Sequence, residues 1–197
     1  LRVMDRKRID FALEFCYELL EKLRKKGRYK AIYFLISGHD PDKKRGKLIQ
    51  LNKELQEKYG HENIFLVFAE DYYDKTKVTF EEYPKVFAKL KAITTYFSEV
   101  EGFGNNLLEV LASGLIPIVY TYPVFRKDIS KCDFKLITFN KFQLSPVKIK
   151  ETIDLIFDED KRRKWVNHNL NVLKKNFNHD LIAVKLVQAI TSERGHK

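Results

Sequence analysis

At 197 residues the chain is long enough to bury one hydrophobic core and too short for two large domains. Apolar residues make up 44%, with only 8 glycines and 5 prolines, which excludes long disorder, and no apolar run reaches the roughly 18 to 20 residues of a membrane-spanning helix. Lys and Arg outnumber Asp and Glu by 37 to 27, a net charge of +10 that favours polyanionic partners: nucleic acid, anionic lipid or phosphorylated substrates.

Residues 7–26 place Ile9, Leu13, Cys16, Leu20 and Leu23 at spacings of three and four, predicting an amphipathic helix with Gly27 as its stop. A short apolar run over 31–36 reads as a strand, Asp40-Pro41 as a turn, and 43–59 as a charged helix. The alternation continues with a strand over 64–68, a helix over 80–90 and a short strand over 92–95. A loop over 101–104, an apolar helix over 105–113 capped by Gly114, and a buried strand over 116–120 follow. A last strand over 136–139, a helix over 146–157, and two helices between 161 and 190, broken near 176–180, complete the chain. Helix and strand in alternation imply a three-layer, doubly wound parallel sheet, which binds ligands at the carboxyl ends of its strands. Cys16 and Cys132 have no Cys-x-x-Cys partner and are expected as buried thiols.

In the segment Glu101-Gly102-Phe103-Gly104-Asn105-Asn106-Leu107-Leu108-Glu109, two carboxylates flank a glycine-bearing loop that feeds a helix. Gly102 and Gly104 let the backbone turn tightly and approach a ligand closely, and the unpaired amides that open the helix carry the positive end of its dipole. Such a corner attracts phosphate. Glu109, about one turn inside the helix, is placed to accept hydrogen bonds from a ribose, and Glu101 on the loop to reach a sugar hydroxyl near the reacting carbon. Asn105 and Asn106 offer backbone amides or side-chain groups to the donor, although helix capping would use the same residues. A surface turn with a capping acid is the plainer alternative for the whole segment. A dinucleotide fingerprint fits less well, since Leu107 stands where its third Gly belongs.

This segment, continuing as VLASGLIPIVYTYP, resembles the E-x₇-E signature of the C-terminal nucleotide-sugar domain of group 1 retaining glycosyltransferases with the GT-B fold. The start of the chain is similar to that family's donor-phosphate segment, with Arg2 and Lys7 five apart and Ile9-Asp10 following, although Arg8 stands where the family usually has Gly. Similarity of layout spans most of the chain, and residues 92–129 carry the diagnostic part. The run Tyr122-Pro123-Val124-Phe125 ahead of Asp128-Ile129 is similar to a subgroup related to sucrose-phosphate synthases and to enzymes glycosylating small hydroxy acids.

The resemblance implies hexosyl transfer from a nucleotide-diphosphate sugar (UDP-, GDP- or ADP-linked) to an unidentified acceptor, with retention of anomeric configuration. It implies Glu101, Arg2 and Lys7 as catalytic residues, and Gly102, Phe103, Gly104, Asn105, Asn106 and Glu109 as the donor-binding set. Neither a metal nor a cofactor is expected. It further implies that residues 1–197 are one donor-binding domain with its first strand clipped and the N-terminal acceptor domain absent, so that the isolated piece is inactive. The expected location is cytoplasmic, with peripheral contact at a membrane as the alternative.

Asp40-Pro41-Asp42 matches the D-x-D spacing of manganese sites, but a proline at its centre favours a turn. His39 is expected at the surface or lining the cleft, and His61, His168, His179 and His196 show no ligand spacing. Trp165 reads as a core or interdomain anchor. Basic clusters at 6–8, 22–30, 43–47 and 161–164 leave one alternative function, a nucleic-acid-binding α/β module without catalytic activity. Their interleaved acids and lack of aromatic platforms make nucleic acid the weaker reading.

Overall fold

The computed structural model describes residues 5–27, 31–37, 44–72, 82–90 and 92–177. Arg2, His39, Asp40, Pro41, Asp42, His179 and His196 lie outside them, as does the second of the two helices expected after residue 161. The described chain opens with a 3₁₀ turn, Asp5–Lys7, which leads into α1 (Ile9–Lys25). There follow β1 (Ile32–Ile36), α2 (Arg45–Tyr59), β2 (Ile64–Phe68), α3 (Tyr83–Lys89), β3 (Thr94–Tyr96) and α4 (Asn105–Ala112). The chain then forms β4 (Pro117–Tyr120), β5 (Ile137–Phe139), α5 (Pro146–Phe157) and α6 (Glu159–Asn176).

All the described strand pairings are parallel. β1 pairs with β2 from Ile32 opposite Ile64 to Ile36 opposite Phe68. β4 is central in a second sheet, with Thr94 of β3 opposite Pro117 and Ile137 of β5 opposite Ile118. Successive residues of β4 enter different cores, as the period of two requires. Ile118 packs with Phe11, Phe15 and Leu19 of α1 and Ile149 and Ile153 of α5, whereas Val119 packs with Leu107 and Leu111 of α4. Leu173 of α6 closes over that second core. Helices therefore cover both faces of this sheet, the three-layer arrangement expected from the sequence.

Of the stripe Ile9, Leu13, Cys16, Leu20 and Leu23, all but Ile9 are buried, and they are fewer than half of the residues that α1 buries. Leu13, Cys16, Tyr17 and Leu20 meet Leu55 of α2 and Ile64 of β2. A second stripe, Phe11, Phe15, Leu19 and Leu23, joins the core of the other sheet, where Phe11 and Phe15 meet Phe97 and Phe139 edge to face at 5.0 to 6.1 Å. Such aromatic pairs add about 0.5–1.5 kcal/mol each beyond their area. α1 is thus wedged between two packing partners. The outer face of β1 and β2 is different: Tyr33 and Phe65, opposite each other in register, stack at 5.3 Å and remain exposed.

Several expectations need correction. Cys132 is half-buried, whereas Cys16 is buried, and burial pushes its thiol up to about 12. Gly114 is not the helix cap itself. Ser113 is, and Gly114 follows at φ 81°, the left-handed position after the cap, where its amide donates to Leu111. The loop after β4 also contains two helical turns absent from the sequence reading, a π turn over Phe125–Ile129 and a 3₁₀ turn over Ser130–Cys132. Phe125 and Ile129, apolar and four apart, are buried by them in the second core. Trp165 packs partly buried against the main core, as expected.

Candidate functional site

The site lies where the turn before α1 meets the segment leaving β3. The amide of Glu99 donates to the carbonyl of Arg6 at 2.7 Å, and Arg6 Nη1 donates to the carbonyl of Val100 at 3.0 Å. The Ser98 hydroxyl, 1% exposed as a residue, lies between the same two carbonyls at 3.4 and 3.3 Å. These backbone ties carry Lys7 to Glu101, and the two side chains form a largely buried ion pair. Residues 94 positions apart in the chain are thereby brought together.

Arg8 explains how the turn is held. Its backbone is left-handed, φ 45° and ψ 47°, the conformation that glycine adopts without penalty. Arg8 thus stands in a backbone conformation that glycine would adopt freely. In compensation the guanidinium pairs with Asp10 at 2.9 Å and Glu99 at 3.2 Å, and stacks 4.2 Å from the Phe142 ring centroid.

Glu101 is enclosed by donors. Burial alone would raise its carboxyl, but hydrogen bonds from Lys7 and Ser98 and the charges of Lys7 and Arg6 prevail and hold it below the ordinary glutamate range. Tyr96, buried at the end of β3, points its hydroxyl at the same carboxylate. Burial first, then the Glu101 charge, pushes that phenol well up, so it stays a neutral donor. Lys7 Nζ lies 5.7 Å from the Tyr96 ring centroid.

From Glu101 the loop runs through exposed Gly102 and Phe103 to Gly104, buried at φ 90° as the N-cap of α4. Gly104 has no side chain with which to cap the helix, so the opening amides of α4 receive no side-chain acceptor from their N-cap. Capping by Asn105 or Asn106 does not arise, because both are already inside the helix, Asn105 exposed and Asn106 half-buried. Glu109 is exposed about one turn inside α4, and its carbonyl accepts from the Ser113 hydroxyl at 2.9 Å. The Phe103 ring meets Phe177, at the end of α6, edge to face at 5.8 Å.

Lys7, Glu101, Gly102, Phe103, Gly104, Asn105 and Asn106 therefore form one contiguous corner, with Glu109 further along its helix. Tyr96, Ser98 and Arg6 belong to the same network and were not singled out from sequence. A tyrosine closing a short β-branched strand just before the glycine loop was the available signal. Among the described residues, no group of three or more His, Cys, Asp or Glu side chains is placed to hold a metal.

No family profile matches the chain. The C-terminal domain of the glycosyl transferase group 1 family protein LpcC from Francisella tularensis superposes with a TM-score of 0.63 over 90% of this chain and 83% of that domain, at 17% identity. The chain shares the Rossmann-like fold of that domain, one half of the GT-B arrangement. The GT-B domain also aligns along its whole length with 35% of the pneumococcal O-GlcNAc transferase GtfA, solved in complex with UDP and GlcNAc (TM-score 0.55, 18% identity). In sequence it is similar to mannosylglucosylglycerate synthases, 29% identical over 138 residues to that of Thermotoga maritima and 28% over 103 residues to that of Petrotoga mobilis. Those matches take in 64% and 46% of this chain but 31% and 24% of the relatives. The GT-B domain thus spans about a third or less of the curated relatives it matches. No helix among its described residues is long and apolar enough to cross a membrane.

Proposed function

We propose that residues 1–197 form the donor-binding domain of a retaining hexosyltransferase, which grips a nucleotide-diphosphate sugar at the corner between Lys7 and Gly104. The convergence of Lys7, from the turn before α1, with Glu101 and the uncapped opening of α4 is the observation that supports this reading most. GtfA, which shares the fold, was solved with UDP. The names of the curated relatives, with the likeness around residues 122–129, favour an acceptor built on a small hydroxy acid.

Breaking the bond from the anomeric carbon to phosphate leaves charge on the departing diphosphate while the sugar becomes cation-like. Lys7, Arg2 and the positive end of α4 would neutralise that charge, the task a metal ion performs in other transferases. Glu101 would face the sugar and Glu109 the ribose. Lys7 and Glu101 satisfy each other, and a donor phosphate would draw the ammonium toward itself while the carboxylate keeps Tyr96 and Ser98. An acceptor-binding partner domain would complete the reaction.

Calorimetric titration of this chain with UDP, GDP, ADP and their sugars tests the reading. Saturable binding of one nucleotide diphosphate, without added metal, is expected. Failure of all of them would overturn it.

A further inference from the structure

Tyr122 lies just beyond β4, 19 residues from the glycine loop, and its side chain is fully buried. It is held in the second core against Tyr96 at 6.1 Å and Phe125 at 5.8 Å between ring centroids, with Leu107 and Leu111 of α4 in the same cluster. Its amide donates to the Tyr120 carbonyl at 2.9 Å, which ties it to the end of the strand. From this rigid seat the hydroxyl donates to the carbonyl of Phe103 at 3.3 Å.

The peptide so held is the one that joins Phe103 to Gly104, and it sets the direction in which the first amides of α4 point. Gly104 is free to rotate and brings no side chain of its own. The loop is therefore directed from outside itself. We propose that Tyr122 is a positioning residue for the diphosphate corner, acting through the Phe103 carbonyl on the amides that open α4. This rests on the donor-binding reading above. Burial, and then the Glu101 charge, keep the phenol protonated far beyond neutral pH, so the hydroxyl donates throughout the working range. Packing fixes its ring, and the hydroxyl directs the loop.

Tyr122→Phe removes one oxygen from a site that keeps its shape, so the fold survives. Amide exchange by mass spectrometry on the nucleotide-free chain is the first measurement. Exchange over residues 102–106 should rise about tenfold while β4 and α5 are unchanged. Calorimetry with UDP, GDP and ADP is the second, and affinity for the nucleotide that binds should fall roughly fivefold, with the urea midpoint lowered by no more than the loss of one hydrogen bond. Wild-type exchange in the variant would overturn the proposal, and so would faster exchange at unaltered affinity. If the wild type binds none of the three nucleotides the donor reading fails, while the exchange comparison still decides whether Tyr122 sets the loop.

Discussion

The Tyr122 hydroxyl fills the space that a side chain at Gly104 would need. A Cβ built on Gly104 would meet Tyr122 Oη far inside van der Waals contact and Cζ at 3.2 Å. Both atoms belong to a ring with no room to move, since Tyr122 is fully buried. Gly104→Ala therefore carries two penalties, about 1 kcal/mol for a left-handed backbone and a further 1–2 kcal/mol for displacing the ring. In a Tyr122→Phe background the worst contact disappears and the first penalty remains. A double-mutant cycle by urea unfolding should show coupling of about 1 kcal/mol or more. Equal costs in the two backgrounds would mean that the ring yields freely.

The Lys7 and Glu101 side chains are 11% and 13% exposed, so removing either strands the other in a poorly solvated site. Glu101→Gln should cost about 3 kcal/mol of stability. The folded state holds this carboxyl below its ordinary value of 4.5. Its contribution is therefore complete above that value and is lost as pH falls through the depressed one. The variant should lose less stability than the wild type between pH 5 and pH 3. Ligand binding separates the two residues: Lys7→Ala weakens nucleotide diphosphate binding, whereas Glu101→Gln, which frees the ammonium, leaves it unchanged or tighter. On the donor-binding reading proposed above, Lys7→Ala should lower sugar transfer by about a hundredfold, and a loss under roughly threefold would contradict the role.

What the sequence disclosed follows from how local each signal is. The apolar run of β2 and the start of α5 at Pro146 lie where expected, because a short apolar run and a proline that opens a helix are written within a few residues. The glycine corner was legible for the same reason. Tyr96, Ser98 and Arg6 were not, since their contacts join segments some 90 residues apart and no periodicity records which strand end receives the N-terminal turn. The second stripe of α1 was missed because a helix buried on two sides has more than one apolar face, and spacing alone brings out one at a time.

Arg8 offers a test of backbone against side chain. Arg8→Ala loses the ion pairs with Asp10 and Glu99 and the stack on Phe142 while keeping the left-handed penalty. Arg8→Gly loses the same contacts and removes the penalty. The glycine variant should be more stable than the alanine variant by about 1 kcal/mol in urea unfolding. The difference should persist in 1 M salt, because it resides in the backbone. Alanine equal to glycine would mean that residue 8 relaxes out of the left-handed region.

His61 lies at the other end of α1, stacked on Tyr17 at 5.4 Å. Its Nε2 is buried without a hydrogen bond, 3.4 Å from Glu21 Oε1. Burial, seconded by the charge of Arg24 and opposed by Glu21, lowers the imidazole below its ordinary 6.5. The unfolded chain then binds a proton that the folded chain refuses. Stability should fall as pH drops below 6.5, by up to about 1.4 kcal/mol per unit until the folded value is reached. His61→Phe keeps an aromatic ring against Tyr17 and removes the titration. Urea unfolding at pH 7.5 and 5.5 should show a smaller loss for the variant, and an identical loss would place the acid sensitivity elsewhere.

Asn169 of α6 clamps the strand that enters β5. It is 1% exposed; its Oδ1 accepts from the Lys135 amide at 2.8 Å and its Nδ2 donates to the Lys135 carbonyl at 3.0 Å. One side chain thus completes the backbone pairing of a residue that has left its sheet. Asn169→Leu matches the volume and strands both groups, at about 1–3 kcal/mol each where water cannot reach them. Asn169→Asp turns a carboxylate oxygen toward the Lys135 carbonyl in a buried site, so near neutral pH it should be no more stable than the leucine variant and should recover as the carboxyl is protonated in acid. As α6 ends at Phe177 against Phe103, a loosened α6 should also speed amide exchange in the glycine loop. Destabilisation with the loop unaffected would show that the clamp serves β5 alone.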